Sequence, residues 1–162
     1  MIRTSFAAKL ATMTVAAFLL AACSTAKTET PVVDGGSTVP MTEQQIFTQQ
    51  VGDRVFFDLD SYSIRPDGMA TLHRQAEFLQ QHPQYTLRIE GHCDERGTRE
   101  YNLALGDRRA NAVREALVSL GIDRARLTTI SYGKERPECT QSDEGCWQLN
   151  RKGLSVLTGA GS

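Results

Sequence analysis

The chain is 162 residues long, 40% hydrophobic and 23% charged, with a formal charge of −1. That is enough chain for one domain of ordinary size with its own core. The near-neutral balance supplies no basic field, so no nucleic-acid partner is expected.

The first 22 residues follow the plan of a secretory signal. Arg3 and Lys9 give a positive start, and Leu10 to Ala22 is apolar apart from two threonines. The apolar run is too short to span a bilayer comfortably. The segment Leu20-Ala21-Ala22-Cys23 resembles the bacterial lipobox, which implies cleavage before Cys23 and acylation of that cysteine. Each buried lipid methylene contributes about 0.8 kcal/mol, so several chains on one residue would make a durable membrane anchor. Ser24 follows the cysteine; the sorting rules that go with a lipobox read serine there as an outer-membrane address. Removal of the signal takes away Arg3 and Lys9, leaving a mature charge of −3. Residues 23–45 are read as the lipidated cysteine and a flexible linker. Ser24 to about Pro40 is rich in Thr, Ser, Pro and Gly. The folded domain is placed at 46–162.

Within the domain, Arg54 to Asp60 (RVFFDLD) reads as a first strand. Pro66 and Asp67 open a helix whose stripe is Met69, Leu72, Ala76 and Leu79, and His82-Pro83 ends it. The segment YTLRIEGH is the second strand, with Leu87 and Ile89 on one face and Arg88 and Glu90 on the other. A second helix is expected from about Leu103 to Leu120, burying Leu103, Ala110, Val113, Leu117 and Leu120, with Gly121 as its cap. Arg126 to Gly133 is a third strand, and Lys152 to Gly159 a fourth that Gly153 should weaken. The pattern predicts an α/β fold, an α+β sandwich: a βαβαβ core plus a C-terminal strand, forming a small mixed sheet with both helices on one face.

Two cysteine features accompany this pattern. Cys139 and Cys146 enclose the turn-rich loop CTQSDEGC, and a disulfide is expected there in an exported chain. Cys93 is then left over, buried at the strand end. Trp147, the single tryptophan, is read as a core anchor beside that loop.

The segment Glu90 to Asn102, EGHCDERGTREYN, places dense charge between the second strand and the second helix. Strand C-termini in α/β sheets are where ligands bind. A metal site is not expected. His92, Cys93, Asp94 and Glu95 are consecutive, so at most two could face one ion, and no other His/Cys cluster completes the set. The same divergence separates His92 from the Cys93 thiol, which argues against a nucleophile–base pair, and no G-x-S-x-G elbow is present. Neither an enzyme nor a cofactor is expected. Asp94 and Arg109 can approach one another in a strand–loop–helix unit. They make either a structural ion pair or a clamp for a zwitterion, and spacing alone does not choose.

The segments VFFDLDSYSI, IEGHCDERGTREYNLALGDRRANAV, SYGKERP and CWQLNRKG resemble the OmpA-like peptidoglycan-binding domains, in particular the peptidoglycan-associated lipoproteins. The resemblance covers roughly Val55 to Lys152 and the lipobox. The family pattern T-D-x-x-G and N-x-x-L-S-x-x-R-A appears as Cys93 to Gly97, then Asn102, Leu105, Gly106, Arg109 and Ala110. The resemblance implies that the ligand is the diaminopimelate of a peptidoglycan stem peptide, whose side chain ends in one carbon bearing an amine and a carboxylate. It implies that Asp94 takes the ammonium, Arg109 takes the carboxylate, and Asp60, Arg96 and Leu105 line the same groove. It also implies TolB and other Tol proteins as partners, and a lipid-anchored outer-membrane protein of a Gram-negative envelope whose domain faces the periplasm, with a role in integrity and division. Two other readings stay open: a lipid-anchored module that binds only proteins, and a wall hydrolase.

Overall fold

The computed structural model of the chain describes residues 41–159. The signal segment, Cys23 and most of the expected linker lie outside the described residues. The elements run α1 (Glu43–Ile46), a π-helical turn (Phe47–Gly52), β1 (Arg54–Phe56), α2 (Pro66–Gln81), β2 (Thr86–His92), α3 (Arg99–Ser119), a 3₁₀ turn (Arg124–Arg126), β3 (Leu127–Gly133), α4 (Glu144–Asn150) and β4 (Lys152–Thr158). Regular structure thus starts at Glu43, three residues before position 46. Thr42 makes this possible: its side chain accepts from the Gln45 N–H, and the Gln45 side chain answers to the Thr42 backbone.

The sheet has the order β1-β4-β2-β3. β2 and β3 are parallel, while β4 runs antiparallel to both β1 and β2. The C-terminal strand is therefore inserted in the middle of the sheet. Helices α2 and α3 cover one face. Leu72, Ala76 and Leu79 of α2 and Ala110, Val113 and Leu117 of α3 meet Val55, Leu87, Ile89 and Leu127 of the strands, with Phe47 and Phe57 closing the core. Full burial of each such large side chain contributes about 1.5–3 kcal/mol. Arg88, Glu90 and His92 alternate onto the other face.

Several expectations are corrected. β1 ends at Phe56, not Asp60, because Asp58 to Ser61 form a tight turn closed by Ser61 N–H donating to Asp58 O at 3.2 Å. Asp60 lies in that turn with φ 54°, a left-handed conformation that Asp tolerates better than most residues. α3 starts at Arg99, four residues earlier than Leu103, because Thr98 caps it by accepting from Tyr101 N–H. The rotation of the face follows: Asn102, Leu105, Gly106 and Arg109 are buried, whereas Leu103 is 48% exposed. On the face opposite Leu87 and Ile89, as expected, Glu90 is buried and accepts from Arg88 Nε at 2.9 Å.

Gly153 lies inside β4, which runs from Lys152 to Thr158. It is buried and pairs with Val55 on one side and Gly91 on the other. A Cβ there would meet Val113 Cγ2 at 2.9 Å, so its absence lets α3 lie close on the sheet. The same close approach fixes Gly91: a Cβ on it would fall 1.8 Å from the Gly106 carbonyl oxygen. Trp147 is half-buried and outside the core cluster; it stacks on Arg96 instead.

Candidate functional site

The charged segment builds a cavity of about 230 Å³ at the C-terminal end of β2. Three loops and one helix supply its walls. Leu59 and Asp60 come from the turn after β1, Cys93 to Gly97 from the loop after β2, and Tyr101, Asn102, Leu105 and Arg109 from the first turns of α3. Arg151, just before β4, completes it. All five site residues expected from the sequence in the domain, Asp60, Asp94, Arg96, Leu105 and Arg109, lie in this one cavity.

Asp94 is the buried anion of the cavity. One carboxylate oxygen accepts from the Arg96 backbone N–H at 3.1 Å and Arg96 Nε at 3.2 Å. The other accepts from Arg96 Nη2 at 2.6 Å and Arg151 Nη1 at 3.2 Å. Burial pushes its carboxyl up, but the hydrogen bonds from Arg96 and Arg151 outweigh this and hold it below the usual carboxylate range. Asp60 sits at the mouth, where its carboxylate accepts from the Tyr101 hydroxyl.

Arg109 departs from the expectation of an ion pair with Asp94 and a free fork. It is fully buried and forms no ion pair among the described residues; Asp94 pairs with Arg96 and Arg151 instead. Arg109 Nε donates to Ser61 O at 2.8 Å, Nη1 to His92 O at 2.8 Å and Nη2 to Asp58 O at 3.1 Å. It thereby stitches α3 to the loop after β1 and to the end of β2. Of five guanidinium N–H groups, three are spent on the backbone. Burial pushes its pKa below the ordinary value.

Arg151 was hidden in the sequence inside the segment NRKG. It is buried, donates from Nε to Phe57 O at 3.1 Å, and ties Asp94 to Glu144, whose carboxylate lies 2.5 Å from Nη2. No local signal marks it, because its partners come from the residue after β1, the β2 loop and α4. Tyr101 was equally unmarked, since it reaches the cavity only when α3 begins at Arg99.

Helix α4 backs the loop after β2. The Arg96 guanidinium lies over the Trp147 ring, 4.0 Å from its centroid, and the indole N–H donates to Glu95 at 3.0 Å. Cys139 and Cys146 are joined by a disulfide, with Cα atoms 5.3 Å apart, which pins the start of α4. The Cys93 thiol donates to Asn102 O at 3.3 Å, and burial pushes its pKa up. His92 stands apart from it, against the Tyr132 ring. Among the described residues there is no group of three or more His, Cys, Asp or Glu side chains placed to hold a metal ion. No helix among them is long and apolar enough to cross a membrane.

A two-layer α/β sandwich with a mixed-charge cavity at its strand ends defines the class. The profile of the OmpA family matches residues 56–150, more than half of the chain. The relatives narrow it further. The peptidoglycan-associated lipoprotein of Mesorhizobium japonicum is 52% identical over 153 residues, 91% of this chain and 90% of that one. That of Rhizobium meliloti is 57% identical over 128 residues, 79% of this chain and 73% of that one. The crystal structure of the peptidoglycan-associated lipoprotein from Burkholderia pseudomallei matches with a TM-score of 0.64 at 46% identity, covering 65% of this chain and 90% of that one. The C-terminal domain of Helicobacter pylori MotB, at 22% identity and a TM-score of 0.63, shares the fold. The chain belongs to the OmpA family and, within it, to the peptidoglycan-associated lipoproteins.

Proposed function

We propose that this protein is a non-enzymatic tether that grips the diaminopimelate side chain of peptidoglycan stem peptides. The observation that carries the reading is one small cavity holding a buried carboxylate and guanidinium groups within a few ångströms. Asp94 offers an acceptor for an ammonium. Arg96 and Arg109, both lining the cavity, offer guanidinium donors for a carboxylate on the same carbon. The cavity is smaller than the roughly 300–1,000 Å³ of sites that enclose a whole small molecule. It suits the end of a side chain, leaving the polymer outside. Leu59 and Leu105 provide apolar flanks for the methylenes.

The rest of the reading follows from family membership and the N-terminal segment. Lipid on Cys23 fixes the chain in the outer membrane, residues 23–45 give reach, and the domain holds the wall reversibly. TolB and the other Tol proteins are the proposed partners, in an envelope system that acts during division.

The test is co-sedimentation of the full-length chain in detergent with purified cell walls of two kinds. Diaminopimelate-type walls should pull the protein down. Walls with lysine in that position carry the amine without the adjoining carboxylate, and should retain much less. Equal retention by both walls would refute zwitterion recognition, and retention by neither would leave the protein-binding reading.

A further inference from the structure

We infer that Arg96 is a displaceable latch that occupies the ammonium position of the empty cavity, and that it makes the site demand an anion together with a cation. The inference rests on the proposed function and adds the origin of its selectivity.

The capacity of Asp94 is limited. An ionised carboxylate has about four acceptor positions. All four are taken: two by Arg96 side-chain nitrogens, one by the Arg96 backbone N–H and one by Arg151. An arriving ammonium finds no vacant lone pair, so one donor must leave. Arg151 cannot leave cheaply. Its side chain is 6% exposed and also anchored to Phe57 O and Glu144. The Arg96 side chain is 34% exposed, and Asp94 is its one close carboxylate partner, at 2.6 Å.

The structure also provides the place to which Arg96 moves. Its guanidinium carbon lies over the Trp147 ring, 4.0 Å from the centroid, and Glu144, itself 62% exposed, stands 3.9 Å from Nη1. A small slide along the indole face exchanges Asp94 for Glu144 without giving up the stacking. The displaced fork remains at the rim of the cavity. There it meets the carboxylate carried by the same ligand carbon as the ammonium. A simple amine refills the positions on Asp94 but brings no anion for the displaced Arg96 fork. An amino-carboxylate does both.

The test is an NMR titration of the full-length chain in detergent with free meso-diaminopimelate and, separately, with n-butylamine. Removing the latch in Arg96→Ala should strengthen n-butylamine binding by about tenfold, the worth of one charge-assisted hydrogen bond. The preference for diaminopimelate over n-butylamine should fall by at least the same factor. In the parent, the Arg96 Nε–H resonance should shift as diaminopimelate saturates. Arg96→Gln, which keeps length and loses charge, should behave like Arg96→Ala and replaces it if that variant is unfolded. An unchanged preference in the folded variant, weaker n-butylamine binding, or a stationary Nε–H resonance would overturn the latch. Failure of the parent to bind diaminopimelate at all would remove the site reading itself, and the latch with it.

Discussion

Arg109→Ala is expected to unfold the domain more than it blanks a binding contact. Three backbone carbonyls, those of Ser61, His92 and Asp58, lose their donor. Each buried acceptor left unsatisfied costs about 1–3 kcal/mol. The guanidinium also lies 5.2 Å from the Phe57 ring centroid, a contact worth about 1–2 kcal/mol when desolvated. Against these losses stands the cost of burying the charge, which the variant recovers, and water entering the cavity beside the freed carbonyls. The balance is a destabilisation of about 3–5 kcal/mol, the cost of three unsatisfied carbonyls less what the recovered charge burial and entering water return. For a domain of this size that lowers Tm by roughly 12–20 °C. The assay is thermal and urea unfolding by circular dichroism of parent, Arg109→Ala and Arg109→Lys. The lysine variant keeps the charge but cannot span three carbonyls from one fork, and should fall between the two. An Arg109→Ala variant within 1 kcal/mol of the parent would refute the role of Arg109 as a brace.

Other perturbations have distinct signatures. Gly91→Ala, whose Cβ would collide with the backbone oxygen of Gly106 at 1.8 Å, should cost about 3 kcal/mol or more. Gly153→Ala, which crowds the Val113 side chain at 2.9 Å and touches Phe57 at 3.5 Å but meets no backbone, should cost about 1 kcal/mol; urea midpoints in the opposite order would reject the close-packed α3. Reduction of the Cys139–Cys146 bridge, which closes a loop of sequence separation 7, should lower stability by about 2 kcal/mol on chain-entropy grounds, measured by melting with and without dithiothreitol. His92 is pushed below its ordinary pKa, first by burial and then by Lys152. Its contribution is therefore complete above the unfolded value of about 6.5 and declines as pH falls below it, because the unfolded chain takes the proton first. Replacing His92 by Gln should flatten the stability profile between about pH 6.5 and 5, and an unaltered slope would argue against it. Asp94 shifts the other way: its contribution is present above about pH 4 and is lost as pH falls through its lower folded value. Wall binding should accordingly hold constant from pH 5 to 8.

What could be read from the sequence was what local pattern encodes. The α2 stripe, the ends of α2 at Pro66 and His82, the β2 alternation and the Gly121 cap all rest on residues within one or two turns of each other. The cluster at the end of β2 was equally visible, because charge there has no core to enter. What escaped detection depends on partners far away in sequence. Gly153 looks like a weak point until α3 is seen pressing Val113 against it. Leu103 looks like core because leucine usually is; the Thr98 cap starts α3 a turn earlier and turns it outward. The most consequential miss is the partner of Asp94. Spacing suggested Arg109, two turns into the helix, but the backbone of the β1 turn claims that guanidinium. Arg151, 57 residues from Asp94, takes the place beside it.

The central claim is that this cavity, and no other surface, holds the zwitterionic end of diaminopimelate. Backbone amide shifts of the full-length chain in detergent, followed during titration with free meso-diaminopimelate, test it most directly. The account predicts that the perturbed residues cluster at Leu59–Asp60, Cys93–Gly97, Tyr101–Leu105 and Arg151, and that Asp94→Asn, which removes the charge at nearly constant shape, abolishes the response while the fold persists. Shifts confined to the opposite sheet face around Glu90, His92 and Tyr132, or an undiminished response in folded Asp94→Asn, would contradict it.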